Sequence, residues 1–451
     1  MNTDPIKGKY FFSCVLVGIV LLNLGCKKSP TEPPAPPTQE IRDTLTLTLK
    51  TYSHRSVTLA LHTTAYYKTS SIKIIRALNG TETILANYSN AISDTLLFDD
   101  DGGKGLYQDT AYTYYALRLD TLGAAKDTSN TLTVKTLGLT THEYDWISTT
   151  VGVWQSEFKD VWGIDENNIY AVGGVRSNNT TYGIMKWSNN EWVPEQVGGG
   201  MYAITGFSDN DIWVVGEAVQ HYDGNQWKRI DATSSGDQEI PLNQVFYDNK
   251  PYRAIWGISS TDIYLGNSKG TIVHWDGKYA TEIYKKSANF SIQNIDGSSA
   301  TNIWVIGGEY SNPWRNLVLH FNGSTWQEIT NLPDETFFPS GVYVLNEKEV
   351  YICGQSGLVY GNENGWQEIS LPGNAALSKI KGINGNDIFL TGHFNSLYHY
   401  NGKDWHWYNE LYNSQGGLLR GIFLINNKVW AVGYNEKEIA LILTGKKRSS
   451  K

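Results

Sequence analysis

The chain has 451 residues, with 37 Lys+Arg against 45 Asp+Glu, a formal charge of −8, 18% charged residues and 13% aromatics. That balance excludes a disordered polyelectrolyte. An acidic chain with no long Lys/Arg run is not built to neutralise a phosphate backbone, so no nucleic-acid partner is expected. Three Cys exclude a disulfide scaffold, and all 16 Trp lie from Trp146 onward, so the chain has two parts of different composition.

At the N-terminus Lys7 and Lys9 precede an apolar run from Tyr10 to Leu24, about 15 residues. This is short for a membrane span of about 20 residues and reads as the apolar segment of a signal peptide. It ends Leu22-Asn23-Leu24-Gly25-Cys26. A small residue followed by Cys resembles the lipobox of bacterial lipoproteins, with Asn23 where Leu is usual. The resemblance implies cleavage of residues 1–25, lipidation of Cys26 and membrane attachment through it; an ordinary signal peptide or an uncleaved anchor is the alternative. Lys27, rather than Asp, after the Cys implies by the same analogy an outer membrane lipoprotein, facing either the surface or the periplasm. Residues 26–40 form a tether, in which 29–39 (SPTEPPAPPTQ) holds five Pro and favours extended, semi-rigid polyproline II. Cleavage would leave 35 Lys+Arg against 44 Asp+Glu, a charge of −9. It would also leave Cys353 as the one unmodified thiol, inside Val350-Tyr351-Ile352-Cys353, where it reads as a small buried hydrophobe rather than a nucleophile.

Residues 41–139 alternate in the period of strands. The runs are Leu45–49, Val57–61, Ile72–75, Thr83–85, Thr95–98, Tyr112–117 and Thr131–134, seven short strands in about 100 residues, which fits an immunoglobulin-like sandwich. The stretch from Asp101 through Leu106 to Tyr112-Thr-Tyr114, followed by Ser129-Asn130-Thr131, resembles the fibronectin type III pattern. That family's early core Trp is absent, with Leu61 near its place. Asp99-Asp100-Asp101 invites a Ca²⁺ reading, but the spacing is not that of a Ca²⁺ loop and Asp is common in turns. The sandwich is expected to be a spacer or contact module.

Residues 141–446 repeat. The phrase acid/Asn–Ile/Val–aromatic–x–x–Gly opens at Asn168, Asp211, Asp262 (one residue shorter), Asn302, Glu349, Asp387 and Lys428, seven copies over 260 residues, or about 43 per interval. That is the period of a four-stranded propeller blade. Upstream lies an apolar strand with Gly, as in Val161-Trp-Gly-Ile164, Ile380-Lys-Gly-Ile383 and Leu419-Arg-Gly-Ile422. Downstream comes a strand, an Asp/Asn-Gly turn and a Trp, as in His221-Tyr-Asp-Gly-Asn-Gln-Trp227. Such dipeptides signal tight hairpins that need positive φ. The last copy lacks a fourth strand, and Asp145-Trp146 to Val151 supplies one ahead of the first, so closure removes two sheet edges. The expected fold is therefore all-β: a fibronectin type III-like sandwich, then a seven-bladed β-propeller closed by its N-terminal strand, with a basic tail at 447–451 expected to be solvated. The repeats resemble Asp-box and photosystem-assembly-factor-like propellers, with only half of the Asp-box kept in most copies.

Repeated residues read as architecture. His221, His274, His320 and His399 recur at one repeat position, one per blade and too far apart to share a metal, so neither metal nor cofactor is expected. Segments between strands one and two are short, whereas 174–182, 228–253, 308–316, 332–340 and 408–417 are long and emerge on one face. Elaborated loops on a rigid scaffold carry function. Candidate ligand-binding residues on that face are Arg176, Tyr182, Tyr252, Arg253, Tyr310, Trp314, Arg315, Phe338, Phe394 and Tyr434, of types suited to stacking on sugars or anchoring a protein. The expectation is a non-catalytic, lipid-anchored envelope protein whose propeller face binds a glycan or an envelope protein. The alternatives are a scaffold or assembly factor for an envelope complex, and a carbohydrate-active hydrolase or lyase. The last would need two paired carboxylates, for which Glu217, Glu309, Asp334, Glu335, Glu436 and Glu438 lie in or near these loops.

Overall fold

The computed structural model describes residues 45–63, 71–89, 95–230, 245–246, 249, 251–286, 289–309, 314–334 and 337–448. The signal segment, Cys26, the tether and Tyr310 lie outside the described residues.

The first region is two facing sheets. Leu45–Tyr52, Val57–Thr63 and Thr95–Asp99 form one; Thr81–Tyr88, Ser71–Leu78, Ala111–Leu119 and Ala125–Thr128 form the other, with Leu132–Lys135 also on Ala111–Leu119. Alternate residues point into one core that contains Leu47, Leu59, Leu61, Ile72, Ile74 and Tyr114. Leu61 is fully buried there. Each apolar run read from the sequence is a strand; the strand not foreseen, Ala125–Thr128, is exposed throughout and has no alternation to read. The three Asp are used locally. Arg76 donates to Asp99 at 2.8 Å and to Asp101 at 2.6 Å, and the Tyr114 hydroxyl donates to the other oxygen of Asp99, also at 2.8 Å. A buried carboxylate needs such partners to offset its lost hydration.

Seven four-stranded antiparallel sheets follow among the described residues. Their innermost strands are Glu157–Asp165, Met201–Ser208, Tyr252–Ser259, Phe290–Ser299, Pro339–Val344, Leu377–Asn384 and Leu418–Ile425. In the seventh sheet Tyr144–Val151 runs antiparallel along Ala440–Lys447 through eight consecutive pairs. Successive innermost strands pack on one another, and Leu418–Ile425 packs on Glu157–Asp165. Lys447 belongs to a strand and donates to Asp387 at 3.0 Å, while Arg448 pairs with Glu143 and Asp145. The start of the basic tail is thus engaged in ion pairs rather than merely solvated.

The repeated phrase has a local physical cause at each position. Its acid or amide accepts from the repeated His: Asp211 from His221 at 2.9 Å, Asp262 from His274 at 2.7 Å and Asp387 from His399 at 3.0 Å, with Asn302 placed against His320 in the same way. The aromatic of the phrase lies over that imidazole, as Trp304 does over His320 at 4.4 Å. The final Gly faces a β-bulge in the innermost strand. A Cβ on Gly173 or Gly307 would come within 2.1 Å of the carbonyl oxygen of Glu157 or Ser291, closer than any side chain allows. In the third copy the phrase is not shortened: Asn267 pairs with Tyr252 where the others place Gly. In the last copy Gly421 is not the counterpart of Gly163. Gly163 pairs with Ile169, and the equivalent partner of Val429 is Leu424, three residues on. The Asp/Asn-Gly turns also differ from two-residue hairpins. In the second sheet four residues separate Tyr222 from Trp227, Gly224 takes φ 91°, and the Asp223 carboxylate accepts from the backbone N–H groups of Asn225 and Gln226.

The two regions form one compact unit. The turn of Ser53, His54, Arg55 and Ser56 meets the fifth and sixth repeat sheets at their short-turn side. Ser56 donates to Glu349 at 2.5 Å, the His54 ring meets Tyr400 edge-on at 5.6 Å, and the Arg55 guanidinium lies 6.0 Å from the Tyr360 ring centre. The connecting segment is held too: the Thr140 N–H donates to Asn401 at 2.9 Å and its hydroxyl to the Asn386 carbonyl at 2.7 Å. The sandwich therefore occupies the plain face and leaves the long-loop face to other contacts.

Candidate functional site

The bulges build the site. In each innermost strand the register slips by one residue at the same place, near the strand's start. A bulge re-aims its side chain away from the regular pleat. The bulged residues of the first four sheets are Lys159, Tyr202, Arg253 and Gln293; those of the last three are Ser340, Ser378 and Arg420. All seven line one cavity of about 330 Å³ on the long-loop side. Phe338, Gln355, Lys379 and His393 are among the others that border it. Among the described residues the lining carries four cations and no carboxylate.

Carboxylates adjoin this lining and are already engaged. Glu157 pairs with Lys159 and lies 3.4 Å from the Arg420 guanidinium. Asp160 is buried, lies 3.7 Å from Lys379 and accepts from the backbone N–H of Val161 at 3.0 Å. Asp296 accepts from Lys381 at 3.0 Å and from the backbone N–H of Val344, on the next innermost strand, at 2.8 Å. Asp160 and Asp296 thereby satisfy innermost-strand N–H groups that would otherwise be unpaired. Burial pushes the Asp160 carboxyl up despite the nearby Lys379. Burial lowers the Lys159 ammonium, and the neighbouring Arg420 lowers it further against the opposing pull of Glu157. Burial and Arg420 also lower His393. The cations therefore crowd one another, as expected where positive potential is incompletely compensated.

A second cavity, of about 390 Å³, adjoins the first through Arg420 and is lined by Gln155, Ser156, Glu157, Arg176, Tyr434 and Glu438. Exposed aromatics stand on the same long-loop side: Trp154 at 62%, Trp314 at 48%, and Phe394 and Tyr412 in lesser degree.

The structure distributes the sequence candidates unevenly. Arg253 and Phe338 border the first cavity, and Arg176 and Tyr434 the second. Trp314 packs edge-on against Phe338 at 5.5 Å, and Arg315 pairs with buried Glu309 while lying 5.6 Å from the Phe290 ring centre. Phe394 is exposed with φ 57° and leans on Tyr412 at 5.8 Å. Tyr182 is half-buried against the core of the first sheet. Tyr252 is a correction: it is fully buried with Phe246, because the bulge that turns Arg253 outward keeps its neighbour in the core. Of the loop carboxylates, Glu309 is tied to Arg315 and Glu436 accepts from Asn413 at 2.9 Å. Sequence reading missed Lys159, Tyr202, Gln293, Ser340, Ser378, Lys379 and Arg420. In five sheets the bulged residue stands four before the recurring Gly of the innermost strand (Gly163, Gly206, Gly257, Gly297 and Gly382), so a signal existed. Trp154 was missed because its loop joins Tyr144–Val151 to the first sheet and falls outside the spacing between copies.

No family model and no curated protein matches the chain. Solved structures do. The chain is similar to YCF48 bound to D1 peptide, with 14% identity over 69% of this chain and 100% of that one, at a TM-score of 0.50. It is also similar to YCF48 from Cyanidioschyzon merolae, at 13% identity over 66% and 98% of the two chains and a TM-score of 0.48. A further match is the WD40 β-propeller domain of Doa1, at 11% identity over 68% and 98% and a TM-score of 0.48. The likeness is one of fold: the repeat region is a β-propeller.

Proposed function

We propose that this chain is a non-catalytic, lipid-anchored envelope binding protein that holds a protein partner on the long-loop face of a seven-bladed propeller. The observation that carries the reading is the cavity to which every innermost strand contributes its bulged side chain, whose type is not kept from blade to blade. Architecture explains a residue that recurs in every blade; it does not explain Lys, Tyr, Arg, Gln, Ser, Ser and Arg at one bulged position. Closure by Tyr144–Val151 is supported by its pairing with Ala440–Lys447 and by the packing of the last innermost strand on the first. A fibronectin type III-like sandwich is supported by the Tyr107 N–H, which donates to the Tyr112 hydroxyl at 2.8 Å, the kind of tyrosine corner that such sandwiches use. The anchor rests on the apolar run ending at Cys26 and on Lys27 after it, and the proposed location is the outer membrane.

A scaffold or assembly role would use the same face, and a similar fold solved with a bound peptide supports a protein segment as occupant. A glycoside hydrolase is less well supported, because Glu157, Asp160, Asp296 and Glu309 are each engaged by cations or strand N–H groups. The test is a photo-crosslinking residue placed at Trp314 or, on the plain face, at Tyr279 in the full chain within the producing cells. The reading expects a discrete protein adduct from position 314 and none from 279. Adducts from 279 alone would overturn it.

A further inference from the structure

Resting on the binding role just proposed, we infer that the partner enters the propeller mouth as an acidic peptide segment, its Asp and Glu carboxylates held by Lys159, Arg253, Lys379 and Arg420. Among the described residues these four cations border a cavity without a lining carboxylate, in a chain whose formal charge is −8. A positive concavity in an acidic molecule focuses potential on anions. Glu157 and Asp160 adjoin the lining and answer part of that charge, so an excess of two formal cations remains among the described residues of the mouth.

The geometry favours carboxylates spread along a chain over one compact anion. The cations come from the sixth, seventh, first and third innermost strands, three neighbours in the ring and one two strands further on, so they line an arc of the mouth. Arg253 is held in place by Tyr202, its guanidinium 4.9 Å from the ring centre, and Lys159 lies 5.8 Å from the same ring on its own strand. A guanidinium fixed by stacking presents its fork to a carboxylate with little further loss of freedom. Gln293, Gln355, Ser340 and Ser378 lie between the cations and supply the amide and hydroxyl groups that a peptide backbone requires. At about 330 Å³ the cavity admits a few side chains and not a folded surface.

The test measures fluorescence anisotropy of labelled octaglutamate with the full-length chain in detergent, against octaglutamine and an oligogalacturonate of similar charge. Octaglutamate is expected to bind at least about tenfold more tightly than octaglutamine, and to weaken as salt rises from about 50 to about 200 mM. The double variant Arg253→Gln/Arg420→Gln is expected to lose about tenfold or more. Ser378→Glu, which adds a carboxylate without removing a cation, should weaken binding in the same direction with an unchanged melting temperature. Equal binding of octaglutamine, or undiminished binding in both variants, overturns the inference. Tighter binding of the oligogalacturonate overturns the peptide in favour of an acidic glycan. A protein adduct at position 314 without octaglutamate binding would sink this inference and leave the binding role standing; absence of both would remove the two together.

Discussion

Protonation of His54 is the sharpest perturbation of the joint between the sandwich and the propeller. The imidazole is 3% exposed, its Nε2 lies 3.3 Å from the Tyr400 hydroxyl, and its Nδ1 has no hydrogen-bond partner among the described residues. Burial, and then the Arg55 guanidinium, hold its pKa down at about 4 against 6.5. The folded value lies below the unfolded one, so the unfolded chain takes the proton first. The contribution is complete above about pH 6.5 and is lost as pH falls toward about 4. A shift of this size is worth about 3 kcal/mol in full, and about 2 kcal/mol of it is gone by about pH 5. Urea denaturation of the full chain near pH 7.5 and pH 5, followed by circular dichroism, measures the loss in wild type and in His54→Asn. The wild type should lose about 2 kcal/mol more than the variant between the two conditions. Equal losses in both would refute the argument from burial.

Four further outcomes follow from other contacts. Gly307→Ala places a Cβ 2.1 Å from the Ser291 carbonyl and should cost about 3 kcal/mol in the same denaturation assay, whereas Gly365→Ala, with open space around it, should cost well under half of that. Glu349→Ala leaves the hydroxyls of Ser56 and Tyr360 and the Asn346 amide without their acceptor; about 2–3 kcal/mol should be lost, with faster proteolysis at the joint. Burial pushes the Cys353 thiol up to about 12, so iodoacetamide near pH 8 should leave it unmodified in the folded chain and label it in urea, as read by peptide mass. Trp314→Ala should leave the melting temperature within about a degree of wild type, because the side chain is half exposed, while weakening partner retention.

The strands were legible because alternation of apolar and polar residues is local, and the propeller because one 43-residue unit recurs. The functions of the repeated His and of the phrase's first acid were legible as architecture, and their hydrogen bonds supply the reason. The mouth was harder to see. Its residues are set by a bulge, a one-residue slip that alternation does not report, and they vary from copy to copy. The recurring Gly was visible, but what it makes room for was not: the bulged strand that presses against it. The joint with the sandwich was not legible either, since Ser56 and Glu349 are 293 residues apart and neither carries a pattern of its own.

Hydrogen–deuterium exchange of the full chain, alone and with the partner captured at position 314, tests the central claim most directly. Partner binding at the mouth predicts new protection in the peptides that carry Lys159, Tyr202, Arg253, Gln293, Ser340, Ser378 and Arg420, drawn from all seven innermost strands. Protection confined to the Asp/Asn-Gly turns of the plain face, with these peptides unchanged, would contradict it.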